Sequence, residues 1–280
     1  MGPSWLGQVI AFLFGISAGS FLNVCIHRLP RDMSIIRPPS RCPYCLRRIR
    51  WYDNIPLLSY LILRAQCRNC KARISPRYFL IELAIGVVFV LFYRHYILSW
   101  PRPDLAQGII YLVLTCSLIV ASLIDIEHHI APDEITLRGM ILAPLVSLLY
   151  PRLHAPLVAT GFVRLDSLIA SGVGMGVGAG VFYALGLFGK MVFRRQAMGF
   201  GDVKLMGFLG GFLGWKVVLL VFFLGAFFGV IWGVATRSRV IPYVPSLSLA
   251  LAMVMLWDRP LGLLNGFIDD LRTLIDLWRH

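Results

Sequence analysis

The stretch "RRQAMGFGDVKLMGFLGGFLGW", Arg194 to Trp215, places an aspartate between glycines at the start of a long apolar run. The apolar run predicts a membrane helix, and Asp202 stands where that helix begins. An ionised carboxylate near lipid is costly unless it is paired, hydrated or protonated. Asp202 therefore needs a partner, and the glycines beside it would let another backbone approach closely.

The rest of the chain is similarly apolar. Of its 280 residues, 58% are hydrophobic and 15% are charged, and the mean hydropathy is +0.75. Runs of about 18 or more apolar residues recur, and in lipid only helices and closed barrels satisfy their own backbone. Because the runs are too long and uniform for barrel strands, the sequence predicts an all-α polytopic membrane protein.

We expect about eight transmembrane helices, of which the sixth is short and is a candidate for tilting or for a break at its glycines. The predicted spans are 4–25, 78–98, 105–124, 135–150, 166–191, 203–213, 215–235 and 240–257. They divide the chain into a first helix, a basic insert, a helical membrane domain and a tail whose apolar residues recur at helical spacing. These four regions are 1–25, 26–77, 78–257 and 258–280. The tail is typical of an amphipathic helix on the membrane surface.

The distribution of positive charge predicts the orientation in the membrane. Twelve of the 27 Lys and Arg residues lie between Arg28 and Arg77, against two acids, which is typical of a cytoplasmic loop. The net charge of +13 then reflects topology and not nucleic-acid binding. The basic side chains could bind anionic lipid headgroups or simply be solvated. A cleaved signal peptide is the alternative for the first span, although no Lys or Arg precedes Arg28.

Four cysteines in the basic insert form two Cys-x-x-Cys pairs. Cys42 and Cys45 are separated by 21 residues from Cys67 and Cys70. This spacing predicts a tetrahedral zinc site, and a short insert with few large apolar side chains needs such a staple. Two disulfides are the alternative, which a reducing cytoplasm disfavours. Four thiolates leave no open position, so the zinc is expected to be structural.

A second acidic segment, "LIDIEHHIAPDEITLRG", supplies the candidate partner for Asp202. Asp125 ends the third apolar run, whereas Asp133 is expected to be the N-cap of the next helix. Two carboxyl groups held close together share a proton, which suits aspartyl proteolysis. An ion pair of Asp202 with Lys204 or a nearby arginine is the alternative, and the residues alone leave the two readings equally open.

Five blocks, in order along the chain, resemble those of the prepilin peptidases, which are intramembrane aspartyl proteases of the Gly-x-Gly-Asp kind. The blocks are "GSFLNVCIHRLPR" (19–31), the paired Cys-x-x-Cys motifs, "ISPRYFLIELAIG" (74–86), "DIEHHIAPDEIT" (125–136) and "GFGDVKL" (199–205). The resemblance implies that Asp125 and Asp202 are the catalytic aspartates. It also implies that the substrates are type IV prepilins or type II secretion pseudopilins, cut at the cytoplasmic face of the bacterial inner membrane, commonly after a glycine.

The same resemblance implies a second activity. Many members of the family methylate the new N-terminus, usually a phenylalanine, with S-adenosylmethionine, and this activity is associated with the cytoplasmic insert. Two positions depart from the family pattern: Gln196 stands where a glutamate is common, and Val244 where a glycine is usual. We expect neither position to touch the aspartates, although both could alter substrate fit or methylation.

Other readings of the same residues remain open. A proton-coupled transporter would use Asp125 and Asp202 as an ion relay, although the acids cluster at one face and no internal repeat is visible. A non-catalytic assembly factor and a peptidase that has lost methylation are narrower alternatives. The sequence makes no prediction of oligomeric state. Two glycine rows in the fifth span, 172/176/180 and 174/178, predict a helix-packing face, with substrate docking as the alternative.

Overall fold

In a computed structural model the described residues are 4–98, 104–154, 160–193, 199–236 and 243–256. Within these ranges the chain forms helices and no β-strand beyond two isolated bridges, which confirms the predicted all-α class. The predicted surface helix of the tail and Gln196 lie outside the described residues. The helices are α1 (Ser4–Arg28), α2 (Leu58–Ile62), α3 (Pro76–Phe92), α4 (Leu105–His128), α5 (Asp133–Leu149), α6 (Val163–Phe193), α7 (Phe200–Thr236) and α8 (Tyr243–Leu256).

Five described helices are long and apolar enough to cross a membrane, namely α1, α3 with its extension to Ile97, α4, α6 and α7. The 37-residue α7 is broken at Gly214, whose φ of 76° and ψ of 167° are not helical. Glycine adopts this conformation without steric penalty, and the break falls where the sequence predicted one. With α7 counted as two helices, and with the shorter α5 and α8, eight helices occupy the eight predicted segments.

One helix end differs from the expected boundary in a way that matters for the site. The third span was predicted to end at 124, but α4 continues to His128. Asp125 and Glu127 are therefore helical residues of its last turn and do not belong to a loop. The helix stops at His129, which has a left-handed φ of 53°.

The chain divides into two compact units, Met1–Val120 and Ala121–His280. In the first, α1 packs along α3, and a methyl group added at Gly15 would lie 2.7 Å from the Cα of Gly86. Hydrogen bonds between helix side chains and the backbone of the insert fix the insert to this helix pair. Leu57 donates its N–H to the Glu82 carboxylate at 2.8 Å, and an Arg28 guanidinium nitrogen donates to the Ser34 carbonyl at 2.8 Å.

In the second unit, α6 and α7 approach each other closely through glycines. A methyl group added at Gly174 would overlap the carbonyl oxygen of Gly210, and one added at Gly178 would overlap that of Met206. The other predicted row, Gly172, Gly176 and Gly180, has no described atom within 4 Å of such a methyl group. One glycine row is therefore the packing face for α7, and the other is not.

Candidate active site and metal centre

The four cysteines of the insert converge on one point. Their sulfur atoms all lie within 4.8 Å of one another, and Cys42 Sγ is 3.8 Å from Cys70 Sγ. All four are free thiols. A tetrahedral site with Zn–S bonds of about 2.3 Å places its sulfurs about 3.8 Å apart. The cluster thus has the composition and the size of a metal site.

The two Cys-x-x-Cys segments fold alike, which explains how they present their thiols together. In each, the first cysteine donates its N–H to the carbonyl five residues on: Cys42 to Arg47 at 3.0 Å and Cys67 to Ala72 at 2.8 Å. Each loop then turns through a left-handed residue, Leu46 in one and Lys71 in the other.

The second loop favours the thiolate form of its first cysteine. The backbone N–H groups of Cys70 and Asn69 donate to the sulfur of Cys67 and lower its pKa to about 7. Hydrogen bonds to the charged form favour that form. Because the thiolate is the metal-binding species, this backbone prepares Cys67 as a ligand.

The two candidate aspartates lie within electrostatic range of each other in the second unit. Asp125 lies in the last turn of α4, and Asp202 lies in the first turn of α7, where its N–H donates to the Gly199 carbonyl at 3.1 Å. Their carboxyl groups are near enough to interact electrostatically. The structure therefore brings together two acids that come from separate sequence motifs.

Asp202 does not form the ion pair with Lys204 that the sequence left open. Lys204 Nζ instead contacts both carboxylate oxygens of Asp133, at 2.8 and 3.0 Å. Residues two apart on a helix point to different sides, which separates Lys204 from Asp202. In the described part of the chain, the neighbouring charge of Asp202 is therefore the Asp125 carboxylate.

The prediction that Asp133 caps α5 is wrong. Helix α5 begins at Asp133 itself, its N-cap is Pro132, and no side chain caps the end. The carboxylate of Asp133 is directed to Lys204 instead. Glu134 lies in the first turn, as expected, where a negative charge suits the helix dipole.

Val244 contacts the site, contrary to expectation. Its backbone N–H donates to Asp125 Oδ2 at 3.2 Å, and its side chain is fully buried. The first turn of α8 thus holds the Asp125 carboxylate. The only sequence signal for this residue was its departure from the family pattern, because the two positions are 119 residues apart.

These features define a class: a multi-pass helical membrane protein with an acidic pair at two helix ends and a metal-binding cysteine cluster. Comparison with known proteins agrees with this class. Residues 13–96 match the bacterial peptidase A24 N-terminal domain, and residues 112–234 match the type IV leader peptidase family. The chain belongs to this family.

Curated relatives match over most of the chain. A prepilin leader peptidase/N-methyltransferase of Myxococcus xanthus is 37% identical over 83% of this chain, which spans 64% of that relative's length. One of Stutzerimonas stutzeri is 34% identical, covering 88% of this chain and 89% of the relative. A type 4 prepilin-like proteins leader peptide-processing enzyme of Escherichia coli is 34% identical, covering 86% and 90%. No solved structure matches.

Proposed function

We propose that this protein is a membrane aspartyl endopeptidase that removes the leader peptide of type IV prepilins or type II secretion pseudopilins. The observation that carries the proposal is that Asp125 and Asp202, on separate helices, interact electrostatically in a chain of the type IV leader peptidase family. Relatives whose names state prepilin processing cover most of the sequence. The acids alone would also suit an ion relay, but the transporter reading accounts for neither the family match nor the cysteine cluster.

The proposed reaction uses the aspartates as one proton-sharing unit. Two neighbouring carboxyl groups avoid double ionisation by sharing a proton. The ionised member takes a proton from a water molecule, which attacks the scissile carbonyl, while the protonated member donates a hydrogen bond to the carbonyl oxygen. As the tetrahedral intermediate collapses, a proton passes to the leaving amine. The Val244 N–H fixes one oxygen of Asp125 and so restricts the direction in which that carboxyl group can act.

We also propose that the protein spans the bacterial inner membrane, with the insert and the aspartates on the cytoplasmic side. The support is the concentration of Lys and Arg between Arg28 and Arg77, since cytoplasmic loops carry such an excess. Prepilin leaders are basic and precede an apolar helix, so their cleavage site would lie at the same face. The substrate could then approach from within the lipid.

Methylation of the new N-terminus is the second proposed activity, supported by the names of the relatives. S-adenosylmethionine would supply a methyl group from its sulfonium to the neutral amine of the new N-terminus; the sulfur would leave as a thioether with the C–S electron pair, and the amine would lose a proton. A groove of about 440 Å³ between α1 and the insert is lined by Ser20, Phe21 and Arg28, and this volume suits a small molecule. Phe21 offers an aromatic face, and the Arg28 guanidinium, which donates to the Ser34 and Pro38 carbonyls, adds a positive charge beside the groove.

We propose zinc as the metal of the cysteine cluster, with a structural role. We expect about one zinc per chain, and we expect Cys42→Ser to lose it because three thiolates bind far more weakly than four. The insert would then unfold and become accessible to trypsin at its arginines. The measurement is metal content by mass spectrometry together with limited proteolysis. Cys116→Ser, in α4, is the control; unchanged zinc in Cys42→Ser would contradict the assignment.

The proposed function is tested with the purified protein in liposomes and a full-length prepilin. We expect loss of the leader by mass, and a further gain of one methyl group on the shortened product when S-adenosylmethionine is added. Cleavage without the methyl gain would limit the function to proteolysis. A folded, zinc-containing protein that leaves several prepilins and pseudopilins intact would contradict the proposal and would favour proton-coupled transport.

A further inference from the structure

An ion pair joins the start of α5 to the first turn of α7. Lys204 Nζ lies 2.8 Å from Asp133 Oδ1 and 3.0 Å from Oδ2, and 5.2 Å from the centre of the Phe200 ring. Asp133 follows the candidate aspartate of α4 by eight residues, and Lys204 follows that of α7 by two. The pair therefore links the two chain segments that carry the acids.

A second contact reinforces this link. A methyl group added at Gly201 would lie 3.1 Å from the Cβ of Ala131, so the backbone of α7 rests directly on the segment before α5. Residues 131–133 thus hold the first turn of α7 at two successive points, one by packing and one by charge. Asp202 lies between these two points in the sequence.

Because of helix geometry, this contact also fixes the direction of the Asp202 side chain. Each residue rotates the helix by about 100°, so side chains two positions apart point about 200° from each other. With Lys204 bound to Asp133, Asp202 is directed away from that pair. The Asp202 carboxyl group indeed interacts with Asp125 and not with Lys204.

We propose that the Asp133–Lys204 ion pair is a positioning clamp that sets the rotation of the first turn of α7 and thereby aims Asp202 at Asp125. The inference rests on the proposed peptidase function. Side-chain exposures of 54% for Asp133 and 21% for Lys204 indicate that the pair contributes little to stability. Its contribution is to catalytic geometry, where a displacement of about 1 Å can lower a rate about a hundredfold.

A double-mutant cycle on prepilin cleavage tests the clamp. We expect Asp133→Asn and Lys204→Met each to lower kcat about tenfold, with KM within about twofold of wild type, because orientation and not substrate binding is lost. The double variant should be no slower than either single variant, since the two residues act through one contact. Lys204→Arg keeps the ion pair and should retain most of the activity. Glu134→Gln, the neighbouring acid in the same turn, is the matched control and should behave as wild type.

Several results would overturn the clamp. Losses that multiply in the double variant would show that the residues act independently. A slow Lys204→Met beside an unaffected Asp133→Asn would make the lysine a direct partner of the reacting groups. Two single variants that match wild type, or a changed KM at constant kcat, would also exclude it.

The same assay separates the clamp from the function on which it rests. If the wild-type protein and both single variants cleave equally well, the clamp is excluded and the peptidase function stands. If the wild-type protein does not cleave, the clamp and the peptidase function are both excluded. Each variant is first checked for zinc content and monodispersity. If Lys204→Met does not fold, Lys204→Gln replaces it in the cycle.

Discussion

Asp125→Asn and Asp202→Asn are each expected to lower kcat for prepilin cleavage by more than about a thousandfold. An amide cannot take the proton of the attacking water, and it cannot share a proton with the opposite carboxylate. The substitution is nearly isosteric and removes the repulsion that forces the two carboxyl groups to share a proton, so the protein should fold at least as well as wild type. The measurement is single-turnover cleavage, read by product mass.

The chain offers a close control for this prediction. Glu127 lies in the same last turn of α4 as Asp125, and Glu127→Gln removes a carboxylate without touching the proposed pair. We expect this variant to cleave within about twofold of wild type. If Glu127→Gln lost as much activity as Asp125→Asn, the loss would reflect the charge of this helix end and not a specific acid.

Gly210→Val is expected to prevent α6 and α7 from packing together and so to prevent the second unit from assembling. The backbone of Gly174 already meets that of Gly210 without room for a methyl group, and forcing bulk into a packed contact costs about 1–3 kcal/mol even where neighbours can shift. Here the neighbour is the backbone of α6, so making room would require α6 to move away from α7, the helix that carries Asp202. We expect a lower thermal midpoint, aggregation in detergent and no cleavage.

Gly176→Val is the matched control for that prediction. It lies on α6 two residues from Gly174 and from Gly178, and therefore on another side of the helix, and no described atom lies within 4 Å of an added methyl group. We expect a normal thermal midpoint and normal cleavage. Equal tolerance at 176 and 210 would show that the close approach of α6 and α7 is not needed for folding.

Much of the fold could be predicted because lipid imposes a simple rule on the chain. Every long apolar run must form a helix, so the number and order of helices follow from composition. The break at Gly214 was visible because glycines interrupt a run too long for one span. The cysteine cluster was visible because a metal site requires a fixed ligand spacing, which a short insert carries within its own sequence.

The contacts around the aspartates could not be predicted in the same way. The bond from the Val244 N–H to Asp125 joins residues 119 positions apart, and every residue except proline has such a donor. Asp133 looked like an N-cap because cap residues are recognised by local pattern, whereas its actual partner, Lys204, comes from another helix. The two glycine rows of α6 have the same spacing, and only the position of α7 distinguishes them.

The proposed proteolysis requires Asp125 and Asp202 to act as a single unit, and the cleavage rate of the double variant tests this requirement directly. Asp125→Asn, Asp202→Asn and the double variant are compared at high enzyme concentration over long incubations, with equal zinc content as the check on folding. We expect the double variant to be no slower than either single variant, because one missing carboxyl group already disables the pair. Losses that multiply, or a single variant that keeps more than about a tenth of the wild-type rate, would contradict the proposed catalytic pair.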